Sequence, residues 1–447
     1  MSQHDRINKN TSLFLLTWPI LVELLLQMLI GNVDQMMISR YSQNAVAAIG
    51  NVNQIMNLLL ITFNIITMAT TIMVSQYLGS NNQEKVSEIY SLATYTNLFF
   101  SMILGALMVF GHKPMFEMMG MPLELYSDAT IYMVIVGGLI FLQGVFMSYS
   151  AIFRSNGLMK QTMIISFVIN FINIIGNFIF LNGLLGIPKL GVTGVALSSV
   201  ISRLIGLIVV MIIFNKKLNA KISLKYLRPF PKETFKSLLR IGLPSAGESL
   251  SYNVAQMWIL SCVNRMGTYV IATRVYSNMI ANFSFVYASA ISTATQIIVG
   301  HLVGAGDIDD ADELVMKTLK PTVLVSLIMS VIVFLCSDFI FSWFTNDPVM
   351  IALGKQIMFI EIFLELGRTF NLVIIRSMHA AGDIKYPVTI GIISMWGVAA
   401  LLSYIFGIIL GMGLVGVWMA MAMDELLRGV LVYRRWKQGK WRGKALV

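Results

Sequence analysis

The sequence predicts an all-α integral membrane protein, with about twelve transmembrane helices in two parallel six-helix repeats around a central cavity. Three observations predict this class: an apolar composition, long apolar stretches along the whole chain, and an internal repeat. Of the 447 residues, 57% are hydrophobic and 12% are charged, whereas a soluble domain typically has about 25% charged residues. Lipid is therefore the expected solvent, and no stretch remains for a soluble catalytic domain.

The apolar stretches are each long enough to cross about 30 Å of hydrocarbon at about 1.5 Å per residue. An even number of spans places both ends of the chain on one side of the membrane. The predicted spans are residues 13–38, 46–78, 88–110, 127–153, 161–182, 191–214, 237–263, 270–303, 314–336, 350–377, 386–410 and 413–433.

Charge is distributed unevenly between the predicted loops. Eight Lys and Arg residues lie between Lys216 and Arg240, and seven lie between Arg428 and Lys444. Basic loops mark the cytoplasmic side of a membrane protein. We therefore expect a multi-pass protein of the cell inner membrane with both termini cytoplasmic, and the net charge of +10 is not taken to indicate nucleic-acid binding.

The internal repeat is visible in individual residues. Pro19 and Glu23 recur 225 positions later as Pro244 and Glu248, and the pair Arg154-Ser155 recurs as Arg376-Ser377. Two copies of six spans insert with the same orientation, and halves of this kind rock about a central site to give alternating access. The predicted division is an N-terminal half 1–214, a basic cytoplasmic linker 215–236, a C-terminal half 237–433 and a basic cytoplasmic tail 434–447.

Carboxylates inside the spans are the first functional candidates, because a charge in the membrane is costly and marks an ion or substrate pathway by default. Glu23 and Asp34 are eleven residues apart, close to three helical turns, and share one face of the first span. Glu248 occupies the position of Glu23 in the second half. We predict cation coupling by Asp34, Glu23 and Glu248, and Asp34 is also the candidate ligand for Na⁺.

Polar side chains also recur at helical spacing on one face of several other spans. Such faces are expected to line a shared aqueous cavity rather than to face lipid. The predicted lining comprises Asn32, Gln27, Asn170, Asn173, Asn177, Tyr252, Gln256, Asn278, Asn282, Glu361, Glu365 and Arg368.

Structural interpretations of the same residues remain open at the level of sequence. Glu365 and Arg368 are three residues apart and can neutralise each other, and Asp424 can pair with Arg428. Glu23 lies near the cytoplasmic end of its span, where a carboxylate can reach the interface. The asparagine stripe of the fifth span can serve as interhelical contact, at about 0.6 kcal/mol per hydrogen bond.

No nucleotide-binding loop, metalloprotease motif or nucleophile elbow occurs in the sequence. Its two cysteines, Cys262 and Cys336, predict neither a disulfide framework nor a metal site. The chain is thus predicted to be neither an enzyme nor an ATPase and to have no cofactor. H⁺ or Na⁺ is the expected coupling ion, and the expected partners are a small organic substrate and membrane lipid, with the chain acting as a monomer.

The pattern as a whole resembles the multidrug and toxic compound extrusion (MATE) family, a branch of a superfamily that also contains polysaccharide and lipid flippases. The resemblance rests on Pro19 followed by Asp34, on the Val-x-Gln-x-x-Gly ending of the second span, and on the Arg-Ser endings of spans four and ten. It implies that Asp34 takes part in cation coupling. It also implies export of cationic amphiphiles in exchange for H⁺ or Na⁺.

The sequence departs from the family pattern in the second half. Many members carry a glutamate about two turns past the proline of the seventh span, where this chain has Tyr252, and its own Glu248 comes one turn earlier. The predicted function is a cation-coupled exporter of cationic or amphiphilic small compounds. The alternatives are a lipid-intermediate or polysaccharide flippase of the same superfamily and, more remotely, a channel or a membrane enzyme.

Overall fold

The computed structural model describes residues 7–8, 11–184, 186 and 188–446, apart from the side chains of 29–32, 34 and 35. Within these residues the chain forms twelve long helices and no strand. They are α1 Leu13–Ser39, α2 Gln43–Gly79, α3 Gln83–Met118, α4 Leu123–Ser155 with a break, α5 Met159–Asn182, α6 Gly191–Lys217, α7 Lys232–Asn264, α8 Thr268–Ala305, α9 Ile308–Leu335, α10 Pro348–Ala380, α11 Lys385–Ile409 and α12 Gly413–Lys437.

Seven of the described helices are long and apolar enough to cross a membrane, and the bent α4 makes an eighth if its two parts form one span. Two of the remaining helices, α10 and α12, carry charged groups in mid-helix: Glu361, Glu365 and Arg368 on α10, and Asp424 with Arg428 on α12. These charges lower their apolarity. Interior charge therefore accounts for two of the four helices that fall short of the length and apolarity of a membrane span.

Local sequence explains several helix ends. The Ser42 side chain accepts a hydrogen bond from the Ala45 amide at the start of α2, and Asn82 does the same for Lys85 at the start of α3, which satisfies an amide that the helix cannot pair. At the end of α8, Gly306 adopts a φ of +85°, which a residue with a side chain rarely takes.

Two helices depart from regular α geometry. In α4, Leu123–Gly137 and Phe141–Ser155 meet at a bend of 46°, and a π-helical turn at Met133–Gly137 precedes it. Two further π-helical turns, Met395–Ala400 and Ile405–Ile409, lie in α11. Such wide turns are rare and occur often at functional sites.

The helices group into two compact units. One contains Val22–Gly242, and the other contains Ile7–Leu21 with Leu243–Val447. Each has its own apolar core: Phe63 and Phe116 belong to the first, and Phe341 and Trp418 to the second.

The basic segment between the halves packs against the first unit. The Lys221 amide donates to Ser87 Oγ at 3.2 Å and the Ser223 amide to Ser91 Oγ at 2.9 Å, while the Thr234 hydroxyl donates to Glu88 Oε1. Helix α7 begins at Lys232, inside the segment predicted as linker. These three hydrogen bonds attach the basic segment to α3. The four-part division of the chain stays a prediction.

Candidate functional site

Within the second unit, α10 places three charged side chains on one face. Glu361, Glu365 and Arg368 follow each other at intervals of four and three residues, which align on a helix. Arg368 Nη1 lies 2.5 Å from Glu365 Oε1 and 3.3 Å from Glu361 Oε1. The two carboxylate residues, Glu361 and Glu365, are buried, with 4% and 1% of their surface exposed. The predicted ion pair between Glu365 and Arg368 is therefore present.

Helix α12 contributes to this face in two ways. Trp418 Nε1 donates to Glu361 Oε2 at 2.7 Å, so Glu361 has partners on both of its oxygens. Further along α12, Arg428 Nη2 contacts Asp424 Oδ2 at 2.8 Å and Glu425 Oε1 at 2.7 Å. The ion pair expected between Asp424 and Arg428 is present, and Glu425 joins it.

Two polar side chains connect the Arg428 group to neighbouring helices. Asn371 Nδ2, on α10, donates to Glu425 Oε2 at 2.6 Å and to its main-chain oxygen at 2.9 Å. The Ser394 hydroxyl, on α11 just before its first π-helical turn, donates to Asp424 Oδ1. We call Glu361, Glu365, Arg368, Asp424, Glu425 and Arg428 the C-half charge cluster.

The cluster contains more negative than positive groups. Its four carboxylates face two guanidinium groups, so two carboxylates lack a compensating cation within it. Glu425 interacts electrostatically with both Glu365 and Arg368, which makes the six groups one charge system. Glu365 Oε2 and Asn371 Oδ1 are buried and have no hydrogen-bond partner among the described residues.

An uncompensated buried carboxylate is strongly unfavourable in low dielectric. The surplus must therefore be balanced by protons or by a small cation. Carboxylate and amide oxygens are the ligand type that hard cations prefer. No group of three or more His, Cys, Asp or Glu side chains placed so as to hold a metal ion occurs among the described residues.

Glu248 lies beside this cluster on α7. It is half-buried, and within the described part of the chain its carboxylate has neither a hydrogen bond nor an ion pair, although its charge interacts with that of Arg428. The carboxylate rests against Gly391 of α11, where an added β-carbon would lie 2.7 Å from Glu248 Oε1. Arg274 on α8 is a further buried interior cation, and its Nη1 has no hydrogen-bond partner in the described residues. Counting both Glu248 and Arg274 leaves the carboxylate surplus at two.

Glu23, the predicted counterpart in the first half, has a different environment. It is buried, Arg154 Nη2 lies 2.9 Å from its Oε1, and the Ser166 hydroxyl donates to the same oxygen at 3.2 Å. Arg154 lies in the last turn of the long bent helix α4, and Ser166 belongs to α5. One carboxylate therefore meets one guanidinium, and this site is electrically balanced.

The asparagine stripe of α5 makes interhelical contacts. Asn173 Nδ2 donates to Ser199 Oγ at 3.2 Å, and the Ser198 hydroxyl donates to the Asn173 main-chain oxygen at 2.7 Å. Asn177 donates to Asn173 Oδ1 at 3.3 Å. These contacts join α5 to α6, as the structural interpretation expected, and Asn170 on the same helix is only half-buried.

Of the other predicted lining residues, Tyr252 lies close enough to the C-half charge cluster to interact electrostatically with Arg368 and Arg428. Gln27, Tyr252, Asn278 and Asn282 are exposed, and Gln256 is half-buried. The side chains of Asp34 and Asn32 lie outside the described residues, so the coupling and Na⁺ roles predicted for Asp34 stay predictions.

Sequence reasoning missed three partners of the predicted carboxylates. Glu425 belongs to the C-half charge cluster, Trp418 donates to its Glu361, and Arg154 pairs with Glu23. For Arg154 a signal exists in the repeated Arg-Ser ending, which marks the repeat but does not by itself identify a charge partner. For Trp418 no local signal exists, because its bond to Glu361 spans 57 residues.

Comparison with known proteins yields a family match that itself repeats. The family described as MatE matches residues 19–179 and again 244–405. An uncharacterized transporter of Bacillus subtilis, YisQ, is 42% identical over 439 residues, which cover 98% of this chain and 96% of that protein. A probable multidrug resistance protein of Thermotoga maritima, NorM, is 24% identical over 438 residues, covering 97% and 93%.

Solved structures share the fold at low sequence identity. The chain aligns with the crystal structure of a MATE mutant with a TM-score of 0.89 at 18% identity, covering 98% of this chain and 97% of the other. A transporter of the MOP superfamily from Pyrococcus furiosus, whose binding pocket is described as reversed in polarity, gives a TM-score of 0.86 at 18% identity over the same shares. The predicted fold class, all-α with two six-helix repeats, is confirmed.

Proposed function

The chain belongs to the MatE family, that of the multidrug and toxic compound extrusion transporters, and we propose that it exports cationic or amphiphilic small organic compounds in exchange for H⁺ or Na⁺. Family membership makes it a multi-pass membrane transporter of small molecules rather than an enzyme. The proposal adds the direction of transport, the class of substrate and the coupling ion.

The carboxylate surplus of the C-half charge cluster carries this proposal. Two negative charges in a buried network need protons or cations for balance, and a cationic substrate can supply the same balance. A coupling ion and an organic cation therefore compete for one electrostatic position. Competition of this kind exchanges one for the other when the site opens alternately to the two sides of the membrane.

Within this mechanism each of the two arginines keeps a carboxylate partner when the cluster exchanges one cation for another. Arg368 contacts Glu365 and Glu361, and Arg428 contacts Asp424 and Glu425. Because each guanidinium is shared by two carboxylates, binding of an external cation frees neither arginine completely. The cluster then alternates between an ion-loaded and a substrate-loaded state without exposing an unpaired arginine to lipid, which would be costly.

The remaining expectations form part of the same proposal. Asp34 acts as a coupling carboxylate in the first half, Glu248 assists the cluster in the second, and Glu23 has the weaker claim because it is already paired. The protein functions as a monomer in the cell inner membrane, with both termini and the basic segments on the cytoplasmic side, consistent with the loop charges.

A flippase for lipid-linked anions is the alternative. A cavity for a pyrophosphate needs a surplus of cations at mid-membrane depth, whereas Arg368 and Arg428 are both occupied by carboxylates. This balance favours a cationic substrate over an anionic one.

Transport by purified protein in proteoliposomes tests the proposal. A fluorescent lipophilic cation is followed under an imposed H⁺ gradient and, separately, a Na⁺ gradient. Glu365→Gln lowers the carboxylate surplus from two to one and is expected to lower the gradient-driven rate about tenfold, within the usual range of coupling free energies between two ligands. Whichever of the two gradients drives transport identifies the coupling ion. The loss of rate in Asp34→Asn measures the contribution of the first half.

Glu313→Gln is the matched control, because this glutamate is exposed and pairs with Lys317, which is exposed as well. It removes one carboxylate from the same unit without touching the cluster and should transport like the unaltered protein. If the unaltered protein ignores both gradients, exchange of organic cations for H⁺ or Na⁺ is excluded, and lipid-linked anions become the substrates to test.

A further inference from the structure

A second binding feature lies next to the charge cluster, on the same two helices α10 and α12, but is lined by other side chains. Helices α9, α10 and α12 enclose a groove of about 800 Å³. Its walls are mainly aliphatic and aromatic, with Leu324, Leu327, Phe370 and Val430 among them. Leu324 and Val430 are exposed, so the groove is open to the surroundings of the second unit, which in a membrane protein are lipid tails.

Two glycines line the groove where α10 and α12 pack closely. Gly367 of α10 lies so close to α12 that an added β-carbon would be 2.5 Å from the Glu425 main-chain carbon. Gly429 of α12 faces Phe370, with 3.4 Å from its would-be β-carbon to the Phe370 β-carbon. Because neither position carries a side chain, α10 and α12 pack closely here, and their contact forms the floor of the groove.

Two cations border this apolar groove. Lys320 of α9 and Arg434 of α12 line it, both are exposed, and neither side chain has an ion pair or hydrogen bond within the described residues. Their neighbours differ: Lys317 pairs with Glu313 at 2.5 Å, and Arg435 pairs with Asp383 at 2.7 Å. The two groove cations are thus left with positive charge beside an apolar surface, where an anion would stabilise them.

Both cations lie in the part of the groove nearer the start of α9 and the end of α12. Trp436 Nε1 donates to Asp312 Oδ1 at 2.7 Å, which fixes the last turns of α12 beside the first turns of α9. Arg434 is two residues from this contact, and Lys320 is eight residues from Asp312, about 12 Å along the helix. Long basic side chains can extend toward the interface, and beyond Lys320 the wall continues with Leu324 and Leu327.

We propose that this groove binds an anionic glycerophospholipid. Its phosphate lies between Lys320 and Arg434, and one acyl chain follows the apolar wall over Gly367 and Gly429. Basic pockets between membrane helices on the cytoplasmic side recognise anionic headgroups by this charge complementarity. The site is separate from the coupling chemistry proposed above and does not depend on it.

Native mass spectrometry of the purified, detergent-solubilised protein tests the site directly. The protein is titrated with phosphatidylglycerol or with phosphatidylcholine of identical acyl chains. The anionic lipid should bind at least about tenfold more tightly, because two basic residues near an anionic lipid each contribute about 1 kcal/mol. Lys320→Gln and Arg434→Gln should each weaken its binding about fivefold for the same reason, and the zwitterionic lipid should respond little.

Two further variants separate recognition from damage to the fold. Lys320→Arg keeps the charge and should retain tight binding, whereas Lys317→Gln removes a neighbouring charge that is already paired and should change nothing. Equal affinity for the two lipids would overturn the proposal. It would also be overturned if Lys317→Gln weakened binding as much as Lys320→Gln, or if the double variant of Lys320 and Arg434 bound like the unaltered protein.

Discussion

The two halves use the repeated glutamate and arginine in different ways. In the first half, Arg154 at the end of α4 contacts Glu23 at 2.9 Å. In the second half, Arg376 at the equivalent position donates instead to the Ser289 main-chain oxygen at 3.2 Å, to Ser289 Oγ at 3.1 Å and to the Thr293 hydroxyl. The carboxylate of Glu248 is left without an ion pair in the described residues.

This difference shows how the same residues in a duplicated sequence can have different roles in the two halves. The same two charges neutralise each other in one copy, while in the other the arginine is held by α8 and the glutamate joins a region already rich in carboxylates. A balanced pair contributes to helix packing but has no excess charge to attract an ion. A negative surplus does attract one, and the second half is therefore the better candidate for ion exchange.

Breaking the first-half pair is expected to have the largest effect. Arg154→Gln leaves Glu23 buried without its cation, which should destabilise the protein by about 3–5 kcal/mol. Thermal unfolding in detergent, together with the Glu23→Gln and double variants, measures the coupling energy. Additive effects of the two single changes would show that the contact contributes nothing.

The equivalent change in the second half should cost less. Arg376→Gln removes the hydrogen bonds to Ser289 and Thr293, each worth about 0.5–1.5 kcal/mol or somewhat more from a charged donor. The same unfolding measurement should place this variant clearly above Arg154→Gln in stability. Equal losses in the two variants would contradict the proposed division between the halves.

Glu248→Gln should change stability least among the repeat positions, by about 0.5 kcal/mol or less, because this carboxylate has no direct partner to lose. Its effect is expected in transport, as a changed dependence on the coupling-ion concentration. The informative comparison is Glu23→Gln, which should show the reverse, with large loss of stability. A destabilised Glu248→Gln protein would point to an ion pair that forms in another state.

The last expected effect concerns the pH dependence of stability at the turn after α10. Burial tends to raise the pKa of Asp383, but hydrogen bonds from Arg435 and Lys444 outweigh it and hold that pKa below its usual value. The stabilisation is therefore complete above the unfolded-state value of about 3.9 and is lost as pH falls through the lower folded value.

Unfolding temperatures of the unaltered protein and Asp383→Asn, measured from neutral pH downward, check this expectation. The two curves should converge in acid. The corresponding first-half turn, residues 156–160, contains no acid, so Lys160→Gln serves as a control without this pH dependence. Parallel curves for the unaltered protein and Asp383→Asn would contradict the assignment.

The sequence predicted local features well and long-range ones poorly. The pairs Glu365–Arg368 and Asp424–Arg428 follow from helical spacing alone and are present. The bond between Arg154 and Glu23 joins residues 131 positions apart and depends on how helices pack, which periodicity does not specify.

Because periodicity does not specify helix packing, it also does not tell which polar residues form interhelical hydrogen bonds. A stripe at helical spacing indicates that one face is polar, but not what that face meets. Asn173 and Asn177 meet a neighbouring helix, whereas Asn278 and Asn282 are exposed. Identical residue types at similar helical spacing therefore had different outcomes, and only the tertiary fold distinguishes them.

The contact between Gly391 and the Glu248 carboxylate can be looked for in the sequences of related proteins. Any side chain at this position would displace the carboxylate of Glu248, which is the flexible partner in that contact. A relative with alanine there must hold its carboxylate elsewhere, even if the glutamate itself is retained. Glycine and glutamate together at these two positions therefore mark a relative that can hold its carboxylate where Glu248 holds it.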